Sequence, residues 1–318
     1  MIKKIFALFF LITIATQGQN FKNVDNMVLT YPKFSKVEDL TSRIKKDFTN
    51  DEEKVRAAFF WLAKNIRYDL KEFYNPTVRN YSFSYISEAE KIEKMQALKD
   101  QIINVAFKTK KGVCEEYAQS FKKICDLLDI KAAVIKGYVR SNSNEIGKPE
   151  RNSNHAWNAV KLNNKWLILD ATWAAGYEFN GKWVKKFNNY FYNIPKEKIF
   201  KTHFPEESIW VLRFGRITLE DFYKQPIYGE QLLASKAELI SPKNGIITIE
   251  KGKNIELKFK NLEAASLVIY NFKGNRYAKK PLIKTEGNIT TLSIVNPTAN
   301  SELYVYIKGE NALIFKTK

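Results

Sequence analysis

Residues 155–172 read HAWNAVKLNNKWLILDAT, and this stretch restricts the fold more tightly than its neighbours. Two alternating runs flank Asn163 and Asn164, a residue type that accepts the left-handed backbone of a two-residue hairpin turn. With that turn, Lys161 faces Trp166, Ala159 faces Ile168 and Trp157 faces Asp170. His155 then lies two residues beyond Trp157 on the same face, diagonal to Asp170. Diagonal neighbours come within reach of each other's side chains. The register therefore predicts a hydrogen bond between His155 and Asp170.

The first residues, MIKKIFALFFLITIATQG, combine lysines at 3 and 4 with an apolar run from Ile5 to Ala15 and then small and polar residues. That is the pattern of a secretory signal peptide over residues 1–18, with cleavage expected just before Gln19. The run falls short of the ~20 residues that span a bilayer. No cysteine stands at the cleavage point to suggest a lipid anchor there, and no later apolar stretch is long enough to cross. The expected location is secreted or periplasmic, with no transmembrane segment after leader removal. A formal charge of +18 favours anionic surroundings; it reads first as a solvated basic surface and second as contact with anionic envelope polymers or headgroups. The lysines are scattered and no nucleic-acid module accompanies them, so a nucleic-acid partner is not expected.

In a secreted chain thiols are normally paired. The two cysteines, Cys114 and Cys125, both fall in GVCEEYAQSFKKICDLLDI. There Val113, Tyr117, Phe121, Ile124 and Leu128 recur at helical spacing. Eleven positions along one helix separate the thiols by about 16 Å, while a disulfide needs Cα atoms within ~7 Å. They cannot bond to each other while that helix is intact. Cys125 lies on the apolar stripe and reads as packing. Cys114 stands at the helix start, after Gly112, and an unpaired thiol there asks for a chemical role.

The rest of the chain divides coarsely. Residues 19–49 read as an irregular, charged N-terminal segment. In DEEKVRAAFFWLAKNIRYD, Val55, Ala58, Phe59, Leu62 and Ile66 mark a buried helix face, and Asp51, Glu52 and Glu53 sit where the helix dipole favours acids. Residues 70–100 read as aromatic-rich polar sequence alternating with a charged helical run, a covering insertion, 132–140 as a strand and 142–154 as a loop. An aromatic and basic stretch from 176 to about 230 extends the same domain, giving a catalytic unit over 50–230. Beyond 235, GIITIE, NIELKFK, ASLVIY, NITTLSIV, ELYVYIK and ALIFK are spaced as strands of an immunoglobulin-like sandwich over 235–318.

A thiol attacks as thiolate, a form favoured by a helix N-terminus and a neighbouring imidazole. The imidazole in turn needs an acceptor to fix its tautomer, the role Asp170 is placed for. The backbone N–H of Cys114 is the natural first oxyanion donor, and Tyr68 a candidate second. Glu115 and Glu116 argue the other way, because a like charge close to a thiolate disfavours it.

GVCEEYAQSF followed by NHAWNAVKLNNKWLILDATW resembles the transglutaminase-like superfamily, in particular its kyphoscoliosis-peptidase-like branch as found in secreted bacterial members. THFP at 202–205 and ITLEDF at 217–222 strengthen the branch assignment. The resemblance, over about residues 50–225, implies an α+β, papain-like core: a cysteine-bearing helix packed on an antiparallel sheet, with Cys114, His155 and Asp170 in the family's catalytic positions. It departs at Asp129, where relatives often carry glycine. The implied function is a hydrolase of the cysteine peptidase or amidase kind, or a protein-glutamine acyltransferase, acting on a peptide or protein substrate through a thioester, with hydrolysis favoured. The competing reading is a catalytically silent scaffold that keeps the fold and binds a partner. No cofactor is implied, and metal ligation is not expected, since His203 and Cys125 have no partners at ligand-like spacing.

Overall fold

The computed structural model describes residues 21–76, 83–250, 252–263, 267–297 and 300–318; the leader read at residues 1–18 lies outside them. The chain enters through α1 (Lys22–Leu29), α2 (Val37–Asp47) and α3 (Asp51–Asn65). The stretch expected to be irregular up to Asn50 is therefore largely helical. Its apolar stripes are short, Val24 with Val28 and Val37 with Leu40 and Ile44, but all five side chains are buried. Asn50 caps α3 by accepting from the Glu52 amide at 2.8 Å. The expected face of α3 is buried, and so is Arg56, which donates to both oxygens of Asp25 at 2.7 Å and to Asn189 Oδ1 at 2.6 Å. That guanidinium fork ties the first helix into the main body.

Two-residue strands β1 (Arg67–Tyr68) and β2 (Lys111–Gly112) pair in parallel. Between them lie α4 (Leu70–Tyr74) and α5 (Glu88–Thr109), the latter carrying the charged run read as helical. Buried residues of α5 are confined to its last turns, Ile102, Ile103, Ala106 and Phe107, while Ile92 and Met95 of its first half are exposed. Next comes α6 (Cys114–Leu127), the cysteine helix.

Strands β3 (Ala132–Val139), β4 (His155–Leu162) and β5 (Lys165–Leu169) form an antiparallel sheet that β8 (His203–Pro205) completes in the order β5-β4-β3-β8. Asn163 and Asn164 turn the hairpin at φ 47° and 63°, and the pairs Lys161↔Trp166 and Ala159↔Ile168 are those the alternation predicts. Between β5 and β8 the chain forms α7 (Ala171–Ala175) and a small hairpin of β6 (Gly176–Phe179) with β7 (Lys182–Lys185). After β8 come α8 (Ser208–Phe214) and α9 (Leu219–Lys224). One apolar core joins α3, α6 and the sheet, with Phe59, Trp61, Tyr117, Phe121, Ile135 and Trp157 inside it. The buried Asn158 amide donates to the carbonyls of Ala118 at 3.0 Å and Ala133 at 3.2 Å, linking the cysteine helix to the sheet. This is the expected α+β core.

The remaining elements are β9 (Ile227–Tyr228), α10 (Glu230–Ala234), β10 (Glu238–Ser241), β11 (Ile246–Ile247), β12 (Ile255–Lys260), β13 (Val268–Phe272), β14 (Leu282–Glu286), β15 (Ile289–Ile294), β16 (Ser301–Ile307) and β17 (Glu310–Thr317). They make two sheets, β10-β12-β15-β14 and β11-β17-β16-β13, with β9 paired to β17. Leu257, Phe259 and Leu292 of the first meet Val305, Leu313 and Phe315 of the second in a separate core. Ala265 and Ser266 of the expected ASLVIY strand lie outside the described residues.

Candidate active site

Cys114 is the first residue of α6 and is partly exposed, whereas Cys125 is buried on the same helix; both thiols are free. Burial pushes the Cys125 thiol far above its ordinary range, which makes it an inert packing group. The two acids after Cys114 are engaged elsewhere. Glu116 Oε2 accepts from the Val113 amide at 2.8 Å, and Glu115 Oε1 accepts from Gln119 Nε2 at 2.9 Å. Glu116 thereby supplies one half of a capping box, the half a valine at the N-cap leaves available.

His155 and Asp170 meet as the hairpin register predicts, with Nε2 2.7 Å from Oδ2. Asp170 is fully buried, and its other oxygen, Oδ1, accepts from the amides of Thr172 at 2.8 Å and Trp173 at 3.0 Å at the start of α7. Burial by itself would lower the His155 pKa. The Asp170 carboxylate and hydrogen bonds to Asp170 and Cys114 outweigh it, and the pKa is raised to about 10. On Asp170 burial acts to raise the pKa, but the two histidines prevail and hold the carboxyl well below the usual carboxylate range. At neutral pH the pair is a carboxylate beside an imidazolium. With Nε2 committed to Asp170, Nδ1 is the ring nitrogen left for the sulfur. Indole rings of Trp157 and Trp173 flank the imidazole, with centroids 6.1 and 6.0 Å away.

Tyr68 pairs with Gly112 across β1 and β2, two residues before Cys114. It stacks on Trp183 at 5.1 Å. Burial first, and then the neighbouring Cys114, Asp170 and Glu116, push its hydroxyl pKa well up, so it remains a proton donor.

His203 corrects one expectation. Spacing along the chain offers it no ligand-like partner, yet its Nε2 lies 3.1 Å from Asp170 Oδ2, and its Nδ1 lies 2.7 Å from the Thr202 hydroxyl. Spacing along the chain could not show this, because β8 reaches the site by joining the far side of β3. The signal was present in THFP, which places a histidine on a short strand; the missing fact was the sheet order. His155, Asp170 and His203 offer ligand atoms within 4.8 Å of one another, the one such group among the described residues. Ligands at ~2.0–2.1 Å on a tetrahedral metal would stand ~3.3 Å apart. The 2.7 and 3.1 Å approaches here are hydrogen bonds to one carboxylate oxygen.

A family model described as Transglutaminase-like superfamily matches residues 38–171, which include Cys114, His155 and Asp170. The Kyphoscoliosis peptidase of Homo sapiens is 24% identical over 304 residues, 92% of this chain and 41% of that protein. Hillarin of Drosophila melanogaster is 25% identical over 230 residues, 67% of this chain and 25% of that protein. The chain thus spans about two fifths or less of the length of these relatives. A solved structure described as a TGase superposes with a TM-score of 0.29 at 19% identity, covering 55% of this chain and 37% of the other. Residues 38–171 thus match the transglutaminase-like superfamily, and the chain is similar along most of its length to the kyphoscoliosis peptidases.

Proposed function

We propose that this chain is a cysteine enzyme that cleaves amide bonds of a peptide or protein through a thioester on Cys114, with His155 as acid and base and Asp170 as its anchor. The observation that supports this reading most is the bond between His155 Nε2 and Asp170, which leaves the other ring nitrogen for a thiol at a helix N-terminus. The imidazolium and the helix end both put positive charge beside the sulfur, the setting in which thiols act as nucleophiles.

In this mechanism the Cys114 thiolate attacks the amide carbonyl and a C–S bond forms. The oxyanion is met by the Cys114 backbone N–H and the Tyr68 hydroxyl. His155 then gives its Nδ1 proton to the leaving nitrogen, the C–N bond breaks, and a thioester remains. Neutral His155 next takes a proton from water as the water attacks the thioester. The C–S bond breaks, the acid leaves, and thiolate and imidazolium are restored. An amine in place of water would give transamidation. Hydrolysis is favoured by the name of the relatives aligned along most of this chain, which are peptidases. The leader pattern at residues 1–18 supports action outside the cytoplasm, on substrates at or beyond the envelope.

The test is incubation with a mixed peptide pool in ¹⁸O water, with and without methylamine, read by mass spectrometry. Hydrolysis should place ¹⁸O at new carboxyl ends, and Cys114→Ala should lower the rate at least ~1,000-fold. Methylamine incorporated in place of ¹⁸O would move the reading to acyl transfer. Neither label entering a range of peptides would count against an enzyme of this class.

A further inference from the structure

The carboxylate of Asp170 serves two imidazoles. Cross-strand partners share a face of a sheet, and His155 pairs with Gly137, which pairs in turn with Pro205. His203 is two residues from Pro205, so it points to the same face as His155. Gly137 stands between them, and the Trp157 ring fills the space its missing side chain leaves: a Cβ there would come 2.6 Å from Trp157 Cη2. Both Nε2 atoms converge on Asp170 Oδ2, at 2.7 and 3.1 Å. His203 is fully buried, walled by Trp157, Trp173 and Phe191 at centroid distances of 4.9, 4.9 and 6.3 Å.

We propose that His203 is a positioning residue: a permanently neutral imidazole whose Nε2–H holds Asp170 ionised and aimed at His155, with its tautomer pinned by the Thr202 hydroxyl at Nδ1. The proposal rests on the reading of Cys114, His155 and Asp170 as the reacting set. Its chemistry follows from the hydrogen-bond inventory. A carboxylate can only accept, so His203 must donate from Nε2. A neutral ring then has its lone pair on Nδ1, where Thr202 supplies the proton at 2.7 Å. With two amides on Oδ1 and two imidazoles on Oδ2, Asp170 has four donors, and a fully satisfied buried anion keeps its charge. Titratable groups around this carboxylate are His155 and His203 from the sheet, Cys114 and Tyr117 from the cysteine helix and Tyr68 from β1. Burial and the neighbouring His155 charge act to keep His203 unprotonated, against the pull of Asp170. Two identical rings on one oxygen are thus given different proton states, one as an imidazolium facing the sulfur and one as a fixed donor.

Because the chain has two histidines, a long-range ¹⁵N–¹H spectrum of the full chain, labelled in histidine, resolves both rings. At pH 7 one should be an imidazolium and the other a neutral ring with its proton on Nε2, the latter signal vanishing in His203→Gln. The companion readout is the pH profile of Cys114 alkylation by iodoacetamide. Loss of one donor to a buried charge should slow alkylation about tenfold in His203→Phe and move its acid limb to higher pH. His203→Gln, whose amide can still donate, should recover most of both. Thr202→Val, which leaves Nδ1 without its donor while Asp170 still holds Nε2–H, should shift the limb part way, and it guards against a His203 variant that does not fold. A His203 ring protonated at pH 7, or carrying its proton on Nδ1 in the unaltered protein, overturns the proposal. So does a folded His203→Phe variant with an unchanged profile. If instead Cys114 of the unaltered protein alkylates no faster than an ordinary thiol while both ring states are as stated, the reacting set fails and the assignment of His203 stands.

Discussion

Asp170 holds His155 charged, while burial and that charge keep His203 neutral, and the consequences for stability have opposite signs. His155 has its pKa raised from 6.5 to about 10 in the folded protein. Its contribution is complete below pH 6.5 and is lost as pH rises towards 10. His203 is shifted down from 6.5. The unfolded chain then binds the extra proton first, so stability falls as pH drops below 6.5. Asp170, shifted down from 3.8, adds a further loss in stronger acid. Thermal unfolding followed from pH 4 to 9 should therefore give a maximum between about pH 6 and 7. His155→Gln should flatten the alkaline side; a slope between pH 7 and 9 that survives this change would contradict the assignment. The bond from His155 to Asp170 was legible in the sequence, because both lie on one hairpin whose alternation fixes the register. His203 was not, because its place depends on which strand edge β8 joins.

Two backbone positions show how elements carry the site. Gly137 lies where β3 meets β8, and a Cβ there would stand 2.2 Å from the Phe204 carbonyl oxygen. Gly137→Ala must push back the strand that bears His203, and should cost about 1–3 kcal/mol, read as a lower unfolding midpoint. The cysteine helix ends with the Ile130 amide on the Cys125 carbonyl at 2.9 Å and the Asp129 amide on that of Asp126 at 3.1 Å, with Asp129 at φ 59°. That is a Schellman ending with an acid in the left-handed position, where glycine is the favoured residue. Asp129→Gly should stabilise by about 0.5–1 kcal/mol, from relief of αL strain and removal of an acid at the negative helix end. Cys114 reactivity should be unchanged, and a loss of stability would refute the cap argument. The helix of the thiol and the hairpin were legible from long apolar periods. Helices α1 and α2 were not, since stripes of two or three residues amid charge give too little period to read.

On the scale of the whole molecule, the sequence separates a mixed N-terminal part from a strand-rich C-terminal part; the described residues form one apolar core among the helices and the four-stranded sheet, one among the C-terminal strands, and a small cluster of Tyr138, Phe204, Phe222 and Tyr223. The junction of the two parts was less legible. Ile227 and Tyr228, within the span read as catalytic, pair with β17 of the C-terminal sheet. Nearby, buried Arg140 donates to the carbonyls of Tyr223, Gln225 and Pro226 at 3.3, 2.7 and 3.4 Å. The N-terminal helices share the core of the cysteine helix and the sheet, so the setting of Cys114 depends on packing that begins at Val24. The most direct test of the account is the rate of Cys114 alkylation by iodoacetamide between pH 5 and 9, in the unaltered protein and in His155→Ala. Labelling should be rapid and persist below pH 7, with a drop of tenfold or more in His155→Ala to the rate of an ordinary thiol. Labelling at the rate of an ordinary thiol, indifferent to His155, would contradict it.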